Sequence, residues 1–462
     1  MTDNNTLEKR YTSKFVLDER LYEEIYNKET AEASFVYYDD QTDTVQQVSY
    51  IDDGNIRYLP LVDSYVQKKA VLLPTKATLY ESEELLLNDI NSHIHTYLDI
   101  SSEDEQISTW TIPTYWLYDR LNSMMPYLRA LGDTGTVKSR FLDVLGGLSY
   151  KPMMVGGSVT PAILYRVTDK WRGTMIIDEA DWTRTDEYSE VTKIINCNQP
   201  NRMILRCKYN NYDEIEVFDP YCPRIFATRR IFFDVATESR MLTIKMRETS
   251  RDDIPIVLDD NFRIQQEQLR NQLLTYRLKN WNRVGPHIKP DMDLTGVEPR
   301  TQQIMYPIAI TFNHNKDILK QLTQMMKGRE TELVKERSST LDGVIINIYF
   351  ELLNEGYECI TASDIAARVQ EKGYSKATPY SVGHTLKSLG VTNTVTTLKG
   401  KSIRCYSCDD ELLEKLRKRY SLNNLSQQEE NDEKLQKLQR LQQYRVWGRL
   451  KKGIKNINKK RK

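Results

Sequence analysis

The sequence predicts a multidomain α/β protein: a mostly parallel sheet flanked by helices, a helical lid after it, a mixed β-rich domain before it and a winged helix-turn-helix towards the end. Three observations predict this. A length of 462 residues exceeds what one hydrophobic core usually organises. From near Tyr115, short apolar runs alternate with helical patterns, as strands and crossover helices do around a parallel sheet. After residue 340, three helical patterns precede two strand-like runs around Gly400.

The acidic first hundred residues contain SFVYYDD, TVQQVSYI and NIRYLPLV, runs rich in Val, Tyr and Ile broken by Asp and Gly, which read as strands and turns. A helical pattern opens at Ser82, and SSEDEQ at 101–106 reads as an acidic break. Residues 1–110 are therefore expected to form an N-terminal adaptor domain.

The core is expected over 111–260. The apolar run Pro126–Leu131 leads into GDTGTVKS and a helix. The strand PMMVGG precedes a helix with a Thr cap and a Pro at its first position, Thr160-Pro161. The strand GTMIIDEA and the helix EYSEVTKIINC follow. A hairpin inserted at about 202–218 has MILRC and IEVFD flanking Lys208-Tyr209-Asn210-Asn211-Tyr212, and strands PRIFATRR and MLTIKM complete five. Residues 261–330 read as the helical lid, and the charged segment 327–340 as a linker. Residues 338–410 read as the winged helix, and 411–462 as a short helix running into a disordered basic tail.

Composition narrows the function. Charged residues at 28% and apolar residues at 39% are ordinary for globular domains, and no run approaches the roughly 18–20 apolar residues of a membrane span. The N-terminus has no basic region followed by an apolar stretch, so a cytoplasmic protein without membrane contact is expected. The 65 basic and 65 acidic residues cancel overall, but residues 1–110 carry 22 acidic against 9 basic, while 433–462 carry 12 basic against one acidic. One segment repels polyanions and the other attracts them. Six cysteines at irregular spacing suit reduced thiols. Cys405 and Cys408 form a CxxC with no second pair or histidine at zinc spacing, so no metal is expected there.

The chemistry is carried by two motifs. In Gly132-Asp133-Thr134-Gly135-Thr136-Val137-Lys138-Ser139, the glycines let backbone N–H groups turn towards phosphates, Lys138 supplies charge to the β- and γ-phosphates of ATP, and Ser139 offers a hydroxyl to Mg²⁺. A helix N-terminus follows, which also favours an anion. The pattern departs from GxxxxGK[ST] at Val137, where glycine is usual, so weakened binding or slow hydrolysis is one expectation. The second motif is the apolar run MII ending in Asp178-Glu179. Carboxylates are excluded from buried strand tips unless they face charge. Asp178 is expected in the Mg²⁺ shell and Glu179 as the group polarising the attacking water.

With these motifs, the stretch from about 115 to 320 resembles the AAA+ domain of replicative helicases, above all the minichromosome-maintenance (MCM) proteins and the MCM-like helicases of mobile elements. The resemblance implies further roles. Thr228 in RIFATRR would sense the γ-phosphate, Arg240 in the Ser239-Arg240 pair would be an arginine finger completing a neighbour's site, and Arg300 would be a second sensing arginine, with Arg277 as its substitute. It also implies a hexameric ring, and a central hairpin whose Lys208 and Tyr209 would grip single-stranded DNA by phosphate pairing and stacking.

In the winged helix, Tyr380 and Lys387 of the third helix and Lys399 and Lys401 of the wing are the candidates for duplex DNA, with a phosphate-binding role expected for the tail. The expected function is an ATP-dependent DNA helicase or translocase in replication of a chromosome or mobile element, with a primase or initiator as a further partner. Two alternatives remain: an ATP-switched initiator or DNA-binding scaffold with weak hydrolysis because of Val137, and a remodeller of a protein partner.

Overall fold

The computed structural model describes residues 7–133, 135, 137–156, 159–180, 186–232, 234–398 and 401–420. It divides into two compact units, 1–327 and 328–462.

The first unit is organised by five parallel strands in the spatial order Met241–Lys245, Tyr127–Leu131, Arg224–Thr228, Met175–Ile177, Met153–Val155. Met175, Ile176 and Ile177 are all buried, as expected of a parallel strand covered on both faces. In chain order the sheet runs fifth, first, fourth, third, second. The chain leaves Tyr127–Leu131 towards one edge of the sheet and leaves the adjacent Arg224–Thr228 towards the other, an arrangement that puts ligand sites outside the carboxyl ends of the strands. Those ends are Leu131, Val155, Ile177, Thr228 and Lys245.

The acidic N-terminal segment lies within this unit. Four antiparallel strands, Lys14–Leu17, Arg20–Asn27, Glu32–Asp39 and Thr44–Val48, stand beside a smaller sheet of Glu8–Thr12, Ile56–Pro60 and Ile51–Asp53. Leu21, Ile25 and Val36 share one apolar cluster with Trp116, Leu148 and Leu273. A buried ionic group reinforces the join: Glu23 accepts from Lys151 at 2.9 Å and from Arg277 at 2.8 Å, and Arg277 also pairs with Asp119 at 2.8 Å.

Two local expectations are refined. The helical pattern breaks at Leu98–Ser101, and SSEDEQ opens the next helix. Ser101 accepts from the Asp104 amide as N-cap, and Glu103, Asp104 and Glu105 form the first turn of the helix Ser102–Trp116, where carboxylates face the positive end of the helix dipole. The charged segment 327–340, read as a linker, begins at the boundary between the two units, and its residues are helical through Ser339. Its Glu, Lys and Arg residues are good helix formers.

The second unit contains helices Leu341–Asn354, Ala362–Glu371 and Pro379–Ser388, then the antiparallel pair Thr392–Leu398 and Lys401–Ser407, then the helix Asp410–Tyr420. Ile345, Ile365, Val382 and Leu386 form its core. The expectation of reduced thiols fails at one pair, because Cys359 and Cys405 are joined by a disulfide with Cα atoms 5.1 Å apart. A bridge between Ile360 and Tyr406 sets the loop before the second helix against the last strand, so the fold closes a separation of 46 residues that spacing alone does not reveal. Among the described residues no helix is long and apolar enough to cross a membrane.

Candidate nucleotide site

The two motifs meet at the carboxyl edge of the sheet. The loop opens as Tyr127–Leu131 ends, and the Gly132 amide donates to the Thr228 carbonyl at 3.2 Å. Gly135 turns with φ +92°, a left-handed conformation that glycine adopts without a steric penalty. The helix Lys138–Phe141 then begins. Lys138 Nζ donates to the Asp133 carbonyl at 2.5 Å, so the lysine folds back across its own loop. Val137, in the place where glycine is usual, is 39% exposed. Thr134 and Thr136 lie outside the described residues.

The acid pair follows Met175–Ile177. Ser139 Oγ donates to Asp178 Oδ2 at 3.0 Å, and the Glu179 amide donates to Asp178 Oδ1 at 2.8 Å. Glu179 has φ +50°, sparsely populated for a side chain of this kind, and such strain concentrates at functional positions. Its carboxylate is exposed and stands 3.6 Å from Arg229. Thr228 is buried, and its hydroxyl has no hydrogen bond among the described residues. One turn beyond Ser139, burial and then the charge of Asp178 hold the Asp143 carboxyl above its usual range. Asp143 lies in a π-helical stretch, Leu142–Gly146, an irregularity found often at functional sites. The paired Ser139 hydroxyl and Asp178 carboxylate are hard oxygen donors and fit Mg²⁺.

The arginines fall elsewhere. The Tyr127 amide donates to the Arg240 carbonyl at 3.2 Å, which fixes Arg240 at the amino edge of the sheet. The length of Tyr127–Leu131 separates that edge from the loop by about 13 Å. The Arg240 guanidinium donates to Asn198 Oδ1 at 3.2 Å and to the Ala236 carbonyl. Arg300 Nε donates to Ser239 Oγ at 3.0 Å, so the two arginines are neighbours. Burial, and then the charge of Arg300, pull Arg240 below the ordinary guanidinium range. Arg277 is corrected as a substitute sensor: it is fully buried, lies over the rings of Tyr150 and Trp281, and is saturated by Glu23 and Asp119.

The hairpin consists of Ile204–Lys208 and Asn211–Phe218, with Tyr209 and Asn210 at the turn and Asn210 at φ +71°. Tyr209 is 84% exposed, while Lys208 Nζ pairs with Glu214 at 2.6 Å. In the second unit, Tyr380 is 85% exposed and Lys387 is exposed. Lys399 and the basic stretch 433–462 lie outside the described residues, as does the side chain of Lys401. Sequence reasoning missed Arg229, although the Arg229-Arg230 doublet directly after Thr228 was a signal. It also missed Arg140 and Asp143, which no motif marks.

No protein-family model and no curated protein matches the chain. Solved structures resemble it only distantly. The apo C-terminal region of NrS-1 is 11% identical, with 81% of this chain and 84% of that one covered at a TM-score of 0.39. The SCCmec type IV Cch active helicase is 10% identical, with 87% and 97% covered at 0.37. A full-length MCM homolog from Methanopyrus kandleri is 9% identical, with 66% and 76% covered at 0.34. Likenesses at this distance assign no function, which has to come from the residues themselves.

Proposed function

We propose that the chain is an ATP-dependent DNA helicase or translocase that works as an oligomeric ring, hexameric by the resemblance, in DNA replication. The observation that carries this reading is the Ser139–Asp178 hydrogen bond, which unites the two nucleotide motifs at one sheet edge. Lys138 would leave the Asp133 carbonyl for the β- and γ-phosphate oxygens, a better partner for a full positive charge. Ser139 and Asp178 would hold Mg²⁺, which neutralises phosphate charge when bound.

Glu179 would accept the proton of the water that attacks the γ-phosphorus, as the bond from that phosphorus to the β-phosphate oxygen breaks. Its pairing with Arg229 means that the carboxylate has to be released first. The Thr228 hydroxyl, buried at the adjacent strand end, suits a hydrogen bond to a γ-phosphate oxygen. Arg240 and Arg300 stand at the far edge of the sheet, too distant for their own subunit's phosphates. They are suited to a neighbour's γ-phosphate, where positive charge stabilises the transition state. The exposed Tyr209 and adjacent Lys208 suit stacking on and pairing with single-stranded DNA. The three helices and hairpin of the second unit suit a winged helix that presents Tyr380 and Lys387 to duplex DNA.

Strand displacement from a forked duplex, with MgATP and with a non-hydrolysable analogue, tests this reading. ATP-dependent displacement is expected. A second reading is favoured by Val137: an ATP-switched initiator would assemble on DNA with ATP but turn it over at the same low rate with and without DNA.

A further inference from the structure

In the second unit the CxxC cysteines are not bonded to each other. Cys405 is joined to Cys359, and Cys408 is a free thiol whose sulfur lies 3.6 Å from the Tyr349 hydroxyl. Burial pushes the Cys408 thiol above its ordinary range, which disfavours the thiolate that sulfur exchange needs. Cys359 is half-buried in the loop between Leu341–Asn354 and Ala362–Glu371, whereas Cys405 is buried on the strand Lys401–Ser407. One partner of the bond is open to a small thiol or disulfide, and the other is shielded.

The bond closes onto the part of the unit that carries its DNA candidates. Beside it the Tyr406 amide donates to the Ile360 carbonyl at 2.8 Å, an isolated bridge between strand and loop. Tyr406 packs in turn against the third helix, Pro379–Ser388, so closely that a side chain at Gly383 would stand 2.5 Å from the Tyr406 hydroxyl. That helix carries Tyr380 and Lys387, and the strand is half of the hairpin formed with Thr392–Leu398. Loop, hairpin and third helix therefore meet at Cys405 and Tyr406, where a backbone bridge and a covalent bond hold the hairpin to the loop.

We infer that Cys359 and Cys405 form a redox site that sets the affinity of the second unit for duplex DNA, the disulfide form holding hairpin and third helix in the binding arrangement. This rests on the duplex-binding reading above. The co-reactant is a low-molecular-weight disulfide. The Cys359 thiolate attacks one of its sulfurs, forming a mixed disulfide and expelling one thiolate; the Cys405 sulfur then attacks Cys359 Sγ and expels the second. The two cysteines lose two electrons, their two protons pass through solvent to the expelled thiolates, and the small disulfide becomes two thiols. Excess small thiol reverses both steps. A hairpin untied from the loop has to be ordered as it binds, which costs about threefold to tenfold in affinity.

Fluorescence anisotropy of a duplex oligonucleotide with the full chain, equilibrated with glutathione disulfide or with excess reduced glutathione, tests this, while mass spectrometry of the linked Cys359 and Cys405 peptides reports the bond. Reduced wild type should bind duplex about threefold to tenfold more weakly than oxidised wild type. Cys359→Ser, made at the more accessible partner, should bind as reduced wild type does under both conditions, whereas Cys408→Ser and Cys207→Ser should keep the response. Tyr380→Ala with Lys387→Ala should lower duplex affinity and abolish the response. Equal affinity of the two forms, with the bond made and broken, overturns the redox site while the duplex reading stands, and so does a bond that does not form. If the Tyr380 and Lys387 variant binds duplex as wild type does in both forms, the duplex reading fails, and the redox site with it.

Discussion

Ser139 Oγ donates a 3.0 Å hydrogen bond to Asp178 Oδ2, so the loop after the first core strand and the tip of the third share one contact. The residues flanking this pair, Lys138 and Glu179, point their charges to the same edge of the sheet, and their roles can be separated.

Lys138→Ala should lower ATP affinity roughly tenfold to a hundredfold, the loss of a charge-assisted contact, with thermal stability little changed because the ammonium donates to the carbonyl of a surface loop and not to a buried partner. Glu179→Gln should keep ATP binding and lower turnover about a hundredfold or more. Isothermal titration beside a phosphate-release assay checks both, and wild-type turnover in either variant would remove the assignment.

Arg240 and the phosphate loop lie at opposite edges of one sheet, so Arg240→Ala should abolish most turnover while leaving ATP affinity intact. Mixing Arg240→Ala with Lys138→Ala subunits should restore activity, because an intact loop and an intact finger meet only at mixed interfaces. Mixed oligomers that remain inactive would place the finger elsewhere.

At the hairpin tip, Lys208→Ala with Tyr209→Ala should leave DNA-free ATP hydrolysis near wild type and remove its stimulation by single-stranded DNA. The tip is a surface turn, and losing the exposed Lys208–Glu214 pair should change stability by less than about 1 kcal/mol. Normal unwinding by this variant would rule out the hairpin as the grip.

Glu24 gives stability a pH dependence. Burial pushes its carboxyl up to about 8, with Lys151 pulling the other way and Glu23 and Asp63 adding to the rise. The folded chain therefore holds a proton there that the unfolded chain releases near pH 4.5. Between that pH and about 8 the folded state binds more protons, so this group lowers stability as pH rises through the window and adds no further slope above it. Glu24→Gln should remove that slope. The gain in Tm over wild type should grow from pH 5 to pH 8, and a constant gain would contradict the account.

Much of the candidate site was legible because its motifs are local. The chemistry proposed for the loop at 132–139 and the acid pair at 178–179 rests on adjacent residues, and the apolar run before each marks a strand end. The hairpin was legible for the same reason, although its turn falls at Tyr209-Asn210 and not at the Asn210-Asn211 pair, because Asn211 already pairs with Lys208 in the ladder. What the sequence hid is set by tertiary packing. Arg277 looks like any helical arginine until Glu23 and Asp119, far away in the chain, enclose it. Cys359 and Cys405 carry no spacing signal, and the N-terminal strands join the core through Glu23 and Lys151, which only the folded chain brings together. At the acidic run 101–106 the sequence showed the break but not the helix start that follows it, where carboxylates are favoured in the first turn.

The measurement that bears most directly on the central claim is steady-state ATP hydrolysis by the full chain, with and without single-stranded DNA, for wild type, Glu179→Gln and Val137→Gly. The account predicts Mg²⁺-dependent hydrolysis that DNA accelerates in wild type, near-complete loss in Glu179→Gln, and a rate in Val137→Gly at least equal to wild type. Hydrolysis that is absent from wild type and Val137→Gly alike, or that survives in Glu179→Gln, would contradict it.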